Sequence, residues 1–402
     1  MRQVFAKGGY SPDMLADPAV RSLIEETYNT LNGAIDTAIK TETPPELTAA
    51  LQNNAFIFSG FKTHHCLSEI GLSLTDAEGH VKPFETFRKD VEAIDARYNT
   101  NYLYAEYNHA LHTSQMAVKW HDILADGDAY NLQYQTAGDE RVREAHAALD
   151  GVTLPPSDPF WNDYLPPNGW NCRCNVVQVL REDFPLSDPK QAKAAGDACT
   201  EEPKARIFRY NAGKDLSLFP RKHPYLPKGC GDCPQGKRML LARDKPLPQC
   251  QVCTAVFNDC RIEGEKRLSK WRDEHIPQHG GLSIAGENFR TGALLITRQS
   301  VKEVKAHSLN LAVRDSLLGI ERGALTYRYI GWSPCEKNPT TGISKHPETA
   351  YFLYYEVVIA GKTYYANVMA RKDFKAEMLY CIRDSCKFDV LRHDAPPSID
   401  EW

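Results

Sequence analysis

The chain has 402 residues, 42% hydrophobic and 25% charged, an ordinary globular composition at a length that suits two to three domains. It contains no run of about eighteen apolar residues and opens on MRQVFAKGGYSPD, which lacks the apolar stretch of a signal peptide, so a cytoplasmic protein without a membrane span is expected. The net charge of −4 hides an asymmetry: residues 1–200 hold 16 Lys+Arg against 28 Asp+Glu, whereas residues 201–392 hold 32 against 21. The acidic half is a poor nucleic-acid binder and the basic half a candidate one.

Residues 18–40 place Val20, Leu23, Ile24, Leu31, Ile35 and Ile39 at helical spacing, and the segment TETPP (41–45) breaks the helix after Lys40. A second helix is expected over ELTAALQNN, and a third from Phe87, Val91, Ile94 and Tyr98 onward to about Leu124. Residues 1–124 therefore read as a mainly helical region. YNLQYQT (130–136) alternates as a half-buried strand does, RVREAHAALDG resembles a short helix ended by Gly151, and CNVVQVL (174–180) reads as a buried strand. Between them VTLPPSDPFWNDYLPPN carries too many prolines for regular structure. Residues 125–181 thus form a small α+β unit, and 182–229, rich in Pro, Asp and Lys, read as a linker.

The stretch YLPPNGWNCRC (164–174) is a shaped turn feeding a strand, because Pro-Pro and Asn-Gly both punctuate turns. Taken in order with Arg143, His146, Asp150, Gly151 and Trp161, the run Pro166, Pro167, Asn168, Gly169, Trp170, Cys172, Arg173 and Cys174 resembles the signature of the phage Mu protein F-like head morphogenesis family. That resemblance covers roughly residues 55–181. It implies a minor head protein of a tailed phage or prophage that acts at the portal vertex, with portal and other head proteins as partners. Host cytoplasm during assembly and the virion head are its implied locations. The site would be a protein–protein surface. His146, Cys172 and Cys174 leave two readings open: a zinc-binding trio with an unseen fourth ligand, or buried small cysteines beside a histidine bonded to backbone. On an extended strand a Cys-x-Cys pair points its sulfurs to opposite faces, so chelation requires the turn to bend it. Arg173 is expected to brace the long loop.

Twelve cysteines in a chain without an export signal argue for metal or plain thiols, and five of them fall between residues 230 and 260. Cys230, Cys233, Cys250 and Cys253 form two Cys-x-x-Cys pairs, the spacing of a structural four-thiolate zinc site, with Cys260 a substitute ligand. Residues 230–280 therefore read as a zinc-knuckle segment that lends a fixed fold to a short stretch. The flanks at 209–228 are basic and aromatic, which suits a nucleic-acid backbone or an acidic partner. His64-His65-Cys66 reads as local packing, since adjacent residues do not easily share one ion.

From 281 to 402 the pattern is α+β: a helix over EVKAHSLNLAVRDSLLGI, then strands at LTYRYIGW, AYFLYYEVVIA and KTYYANVMA, the last two joined by a hairpin at Gly361-Lys362. This order resembles the barnase, EndoU, colicin and RelE-like nuclease fold, which implies metal-independent RNA cleavage and an immunity partner. His307 is then the candidate base or acid, with Lys305, Arg328, His346 and Arg371 as electrostatic candidates. The alternative is a docking domain without activity. No Walker-type glycine loop, GxGxxG, GxSxG or HExxH occurs.

Overall fold

A computed structural model of the chain describes residues 1–40, 42–220, 222–226, 251–308, 311–320, 325–335, 344, 346–359, 362–372, 375–386 and 391–397. Their contacts group into two compact units, one drawing on described residues within 1–43, 50–226 and 251–260, the other on those within 44–49 and 261–397. Among the described residues no helix is long and apolar enough to cross a membrane.

The first unit opens with α1 (Arg2–Ala6) and α2 (Pro18–Ala38), the latter started by Pro18 at its first turn and by Asp17, whose carboxylate accepts the Ala19 N–H at 2.9 Å. Its apolar stripe buries Val20, Ile24, Tyr28, Leu31 and Ile35, but Leu23, which the periodicity assigns to the same face, is 44% exposed. The helix expected to end near Asn54 is α3, and it runs Pro45–Leu72. Residues 53–63 are all buried, polar Asn53, Asn54 and Lys62 beside apolar Phe56, Ile57, Phe58 and Phe61, so the helix shows no apolar stripe by which to trace it. A π-helical turn, Arg97–Tyr102, joins α4 (Phe84–Ala96) to α5 (Leu103–Ala125).

Against α5 lies a three-stranded antiparallel sheet ordered β2-β1-β3, from β1 (Tyr130–Gln135), β2 (Thr153–Leu154) and β3 (Asn175–Leu180). Leu132 pairs with Leu154 on one side and Gln178 on the other, and the buried face packs Leu132, Tyr134 and Val176 with Trp120 of α5. Between strands come α6 (Glu144–Ala147) and α7 (Phe160–Tyr164). The proline-rich stretch is therefore more regular than expected: its prolines sit outside the turn of helix that buries Trp161, whose Nε1–H donates to Pro155 O at 3.1 Å.

The span read as a linker is ordered and packed as far as it is described. It carries α8 (Pro189–Cys199), α9 (Pro203–Arg206) and α10 (Ala212–Asp215), and it buries Phe208, Tyr210, Phe219, His223 and Tyr225. Asn54 of α3 accepts the N–H groups of Leu218 and Phe219 at 3.0 and 2.8 Å, and Phe219 stacks on Phe58 at 3.7 Å. Those rings are committed to the core and not offered to bases, which corrects the nucleic-acid reading of the aromatic residues in this flank. At Gly196 of α8 an added Cβ would meet three Tyr164 ring atoms at 2.7 Å. Gly196→Ala is accordingly expected to cost about 1–3 kcal/mol in urea denaturation, through forced displacement of a buried ring.

Residues Gln251–His275 form α11, so the segment expected as a zinc knuckle over 230–280 is a long helix in the part that is described. Cys253 and Cys260 are buried on it, and the Cys260 thiol lies 3.8 Å from Asn53 O; Cys230, Cys233 and Cys250 fall outside the described residues.

The second unit holds a six-stranded sheet ordered β4-β5-β9-β8-β7-β6: β4 (Leu282–Ala285), β5 (Ala293–Ile296), β6 (Tyr327–Pro334), β7 (Thr349–Ile359), β8 (Lys362–Arg371) and β9 (Ala376–Arg383). Only β5 and β9 pair in parallel. Strands β6 to β8 lie where the alternation puts them, and Ile359 pairs with Lys362; Gly361 of the expected hairpin lies outside the described residues. Strand β9 was not foreseen. The expected single helix is two: α12 (Arg298–His307), begun by a Thr297/Ser300 capping box, and α13 (Leu311–Asp315). Val301 and Val304 of α12 join Leu353, Tyr355, Val368 and Leu379 in the core beneath the sheet.

Candidate functional site

The signature residues converge on one loop system over the small sheet. Pro166-Pro167 is a cis peptide, and the buried Asn168 after it accepts the Tyr134 hydroxyl at 2.9 Å. Gly169 has no side chain where an added Cβ would stand 3.2 Å from Arg143 Nη1, and Arg143 Nη2 donates to Trp170 O at 2.7 Å. Asp150 accepts both the N–H and the hydroxyl of Thr136, at 2.7 and 2.9 Å, and Gly151 takes a φ of +79°. Arg143, Asp150, Asn168 and Gly169 of the signature thus each have a hydrogen-bonding or steric task in shaping the loop.

Arg173 forms a two-pronged pair with Asp139, 2.6 Å on each arm, which ties the cysteine loop to the turn after β1. Its guanidinium holds the Asp139 carboxyl well below the usual carboxylate range. This is the bracing expected of Arg173.

Asn171 adopts a left-handed φ of +56°, and residues 172–174 are not yet strand. The chain therefore bends before β3 begins, and the two sulfurs do not diverge. Cys172 Sγ and Cys174 Sγ each lie 3.6 Å from His146 Nδ1, and the three ligand atoms all stand within 4.8 Å of one another, a group that could hold a metal ion. The reading in which His146 bonds only to backbone does not match this contact. Thiol–thiol hydrogen bonding from Cys174, aided by the N–H groups of Cys174 and Asn168, pulls Cys172 down to about 7. Burial works against charge on His146, but the thiols of Cys174 and Cys199 outweigh it and raise the imidazole to about 9. Cys199, at the end of α8, escaped the sequence reading altogether.

His146, Cys172 and Cys174 line a cleft of about 450 Å³ together with Tyr104, His112, Arg143 and Arg173. His112 Nδ1 donates to Cys172 O at 2.8 Å, and Tyr104 on the wall is 69% exposed.

Residues 74–177 match the family described as "Phage Mu protein F like protein". This segment is Mu F-like. The Mu F-like segment contains every signature residue from Arg143 to Cys174. The chain is 31% identical over 147 residues to "Putative capsid assembly protein F" of Escherichia phage Mu, covering 34% of this chain and 30% of that protein. It is 36% identical over 93 residues to "Mu-like prophage FluMu F protein" of Haemophilus influenzae, covering 23% and 22%. The likeness thus spans less than a third of these relatives. No solved structure matches.

In the second unit the candidates divide. His307 of α12 and His346 both set their rings 5.4 Å from Tyr380 of β9, and Arg383 Nη2 stands 3.5 Å from His307 Nδ1. His307 also pairs with Glu303 at 3.2 Å. Lys305 faces Glu265 at 3.9 Å and Arg328 is held by Glu356 across β6 and β7, so neither joins the two histidines; Arg371 ends β8. Tyr380 and Arg383 carried no sequence signal because the strand that holds them was not foreseen.

Proposed function

We propose that this chain is a minor head protein that serves phage or prophage head morphogenesis at the portal vertex, working in the host cytoplasm and carried in the virion head. The observation that supports it most is the Mu F-like segment, whose ordered signature builds one braced surface cleft, together with the phage Mu relative named for capsid assembly. The cleft is an open wall with an exposed tyrosine, the kind of anchor protein interfaces favour, and its partners are the portal and neighbouring head proteins. Tyr104→Glu should leave folding unchanged and reduce co-purification with portal-containing procapsids by at least about tenfold. Undiminished recovery of the variant with procapsids would remove the cleft from the interface.

A second reading is favoured by the pair of histidines against Tyr380. In it the C-terminal domain cleaves RNA without metal: His307 and His346 share base and acid roles toward a ribose 2′-hydroxyl and the leaving 5′-oxygen, and Arg383 meets the charge developing on phosphate. An immunity protein would then accompany it. The full chain and its His307→Ala and His346→Ala forms, incubated with labelled RNA in EDTA, test this. Cleavage by the parent alone supports the nuclease; no cleavage by any of the three leaves an assembly protein throughout.

A further inference from the structure

We propose that His146, Cys172, Cys174 and Cys199 form a three-cysteine, one-histidine zinc site that fastens α8 to the Mu F-like loop. Bond lengths of about 2.3 Å to sulfur and about 2.05 Å to nitrogen around a tetrahedral zinc put neighbouring N and S ligands about 3.6 Å apart. Both sulfur–nitrogen edges here are 3.6 Å. Two edges of the tetrahedron are therefore already drawn.

Cys199 supplies the remaining ligand. It is the last residue of α8, is buried in the core cluster that holds Tyr134 and Val176 and against which Cys174 packs, and does not line the cleft. A fourth ligand there closes the coordination sphere, which makes the site structural and not catalytic. None of the three thiols is in a disulfide. A soft sulfur and imidazole set suits zinc over magnesium or calcium.

The surroundings are those of a metal centre. Asn168, which accepts the Tyr134 hydroxyl at 2.9 Å, and His112, whose Nδ1 donates to Cys172 O at 2.8 Å, hold the ligand loop from outside the site. The asparagine of the signature thus orders the ligand loop through its side chain. The ligands come from α6, the turn before β3, and α8, so one ion would close two loops of a unit whose core is small. The inference holds whichever partner the cleft takes.

The test uses the full chain with Cys230→Ser and Cys233→Ser, so that any metal at that cysteine cluster is removed from the count. After dialysis, elemental analysis should find about one zinc per chain, and X-ray absorption at the zinc edge should read about three sulfurs and one nitrogen. Adding Cys174→Ser and Cys199→Ser should abolish the zinc. His146→Cys should keep it while replacing the nitrogen by a fourth sulfur, a change that loss of folding cannot imitate. A folded parent free of zinc, zinc retained without Cys174 and Cys199, or an unchanged coordination shell in His146→Cys would each overturn the proposal.

Discussion

Glu106→Ala is expected to destabilise the first unit by about 3–5 kcal/mol. Glu106 of α5 and Lys62 of α3 are 3% and 2% exposed and meet at 2.5 Å, and the Tyr225 hydroxyl donates to the other carboxylate oxygen. Burial pulls the Lys62 ammonium down and pushes the Glu106 carboxyl up, and each partner's charge resists the other's neutralisation. Deleting the carboxylate strands an ammonium where it has no water. Lys62→Met should cost less, because Glu106 can take up a proton and still keep the tyrosine. The triple change Lys62→Met, Glu106→Leu, Tyr225→Phe should recover most of the loss, since the cost lies in breaking the set and not in lacking it. Urea denaturation followed by far-UV circular dichroism checks the series. A loss below about 1 kcal/mol for Glu106→Ala would mean that the pair behaves as a solvated one, and the account would fail.

None of that trio was visible in the sequence, for a reason that recurs along the chain. Local chemistry was legible: the alternation of YNLQYQ gave β1, and Pro-Pro-Asn-Gly marked the shaped loop before β3. What depends on two elements meeting was not. Lys62 and Glu106 pair because two helix faces happen to be in register across 44 positions. Phe208, Phe219 and Tyr225 have no common period, so their span read as a linker although each is an anchor. The convergence of the Cys-x-Cys pair needed a bend before the strand, and Asn171 supplies it with a left-handed backbone that no sequence pattern located. Cys199 stands beyond the Mu F-like segment, on a helix hidden in that supposed linker, so the loop alone gave no fourth ligand.

Acid should unfold this unit earlier than its carboxylates alone would dictate, because His109 and His223 are buried neutral. Burial pushes both down to about 3; His112 adds to the effect at His109, and His65 at His223. Tyr210 donates its hydroxyl to Leu218 O at 3.0 Å, so His109 Nε2, 3.0 Å from that oxygen, carries the ring proton. Nδ1 then faces no partner among the described residues, in a cage of Trp170, Phe208 and Phe219, and a second proton there would be stranded. His223 Nδ1 accepts the Tyr225 N–H at 3.2 Å, and protonation would break that bond. The sign follows from proton binding: below pH ~6.5 the unfolded chain takes up these protons and the folded one does not until about 3, so stability falls as pH falls through that window. Between pH 6.5 and 5 each histidine removes about 1.7 kcal/mol, or about 3 kcal/mol together. Glu106, pushed up by burial, acts in the opposite direction, so the informative quantity is the difference between parent and variant. His109→Phe keeps a ring in the aromatic cage, and His223→Asn keeps an acceptor for the Tyr225 N–H. The double variant should be less stable at neutral pH yet nearly flat between pH 6.5 and 5, where the parent declines. Equal slopes for the two proteins would show that these rings are hydrated or charged in the folded chain, and would release Trp170 from the role assigned here as a wall that keeps His109 neutral.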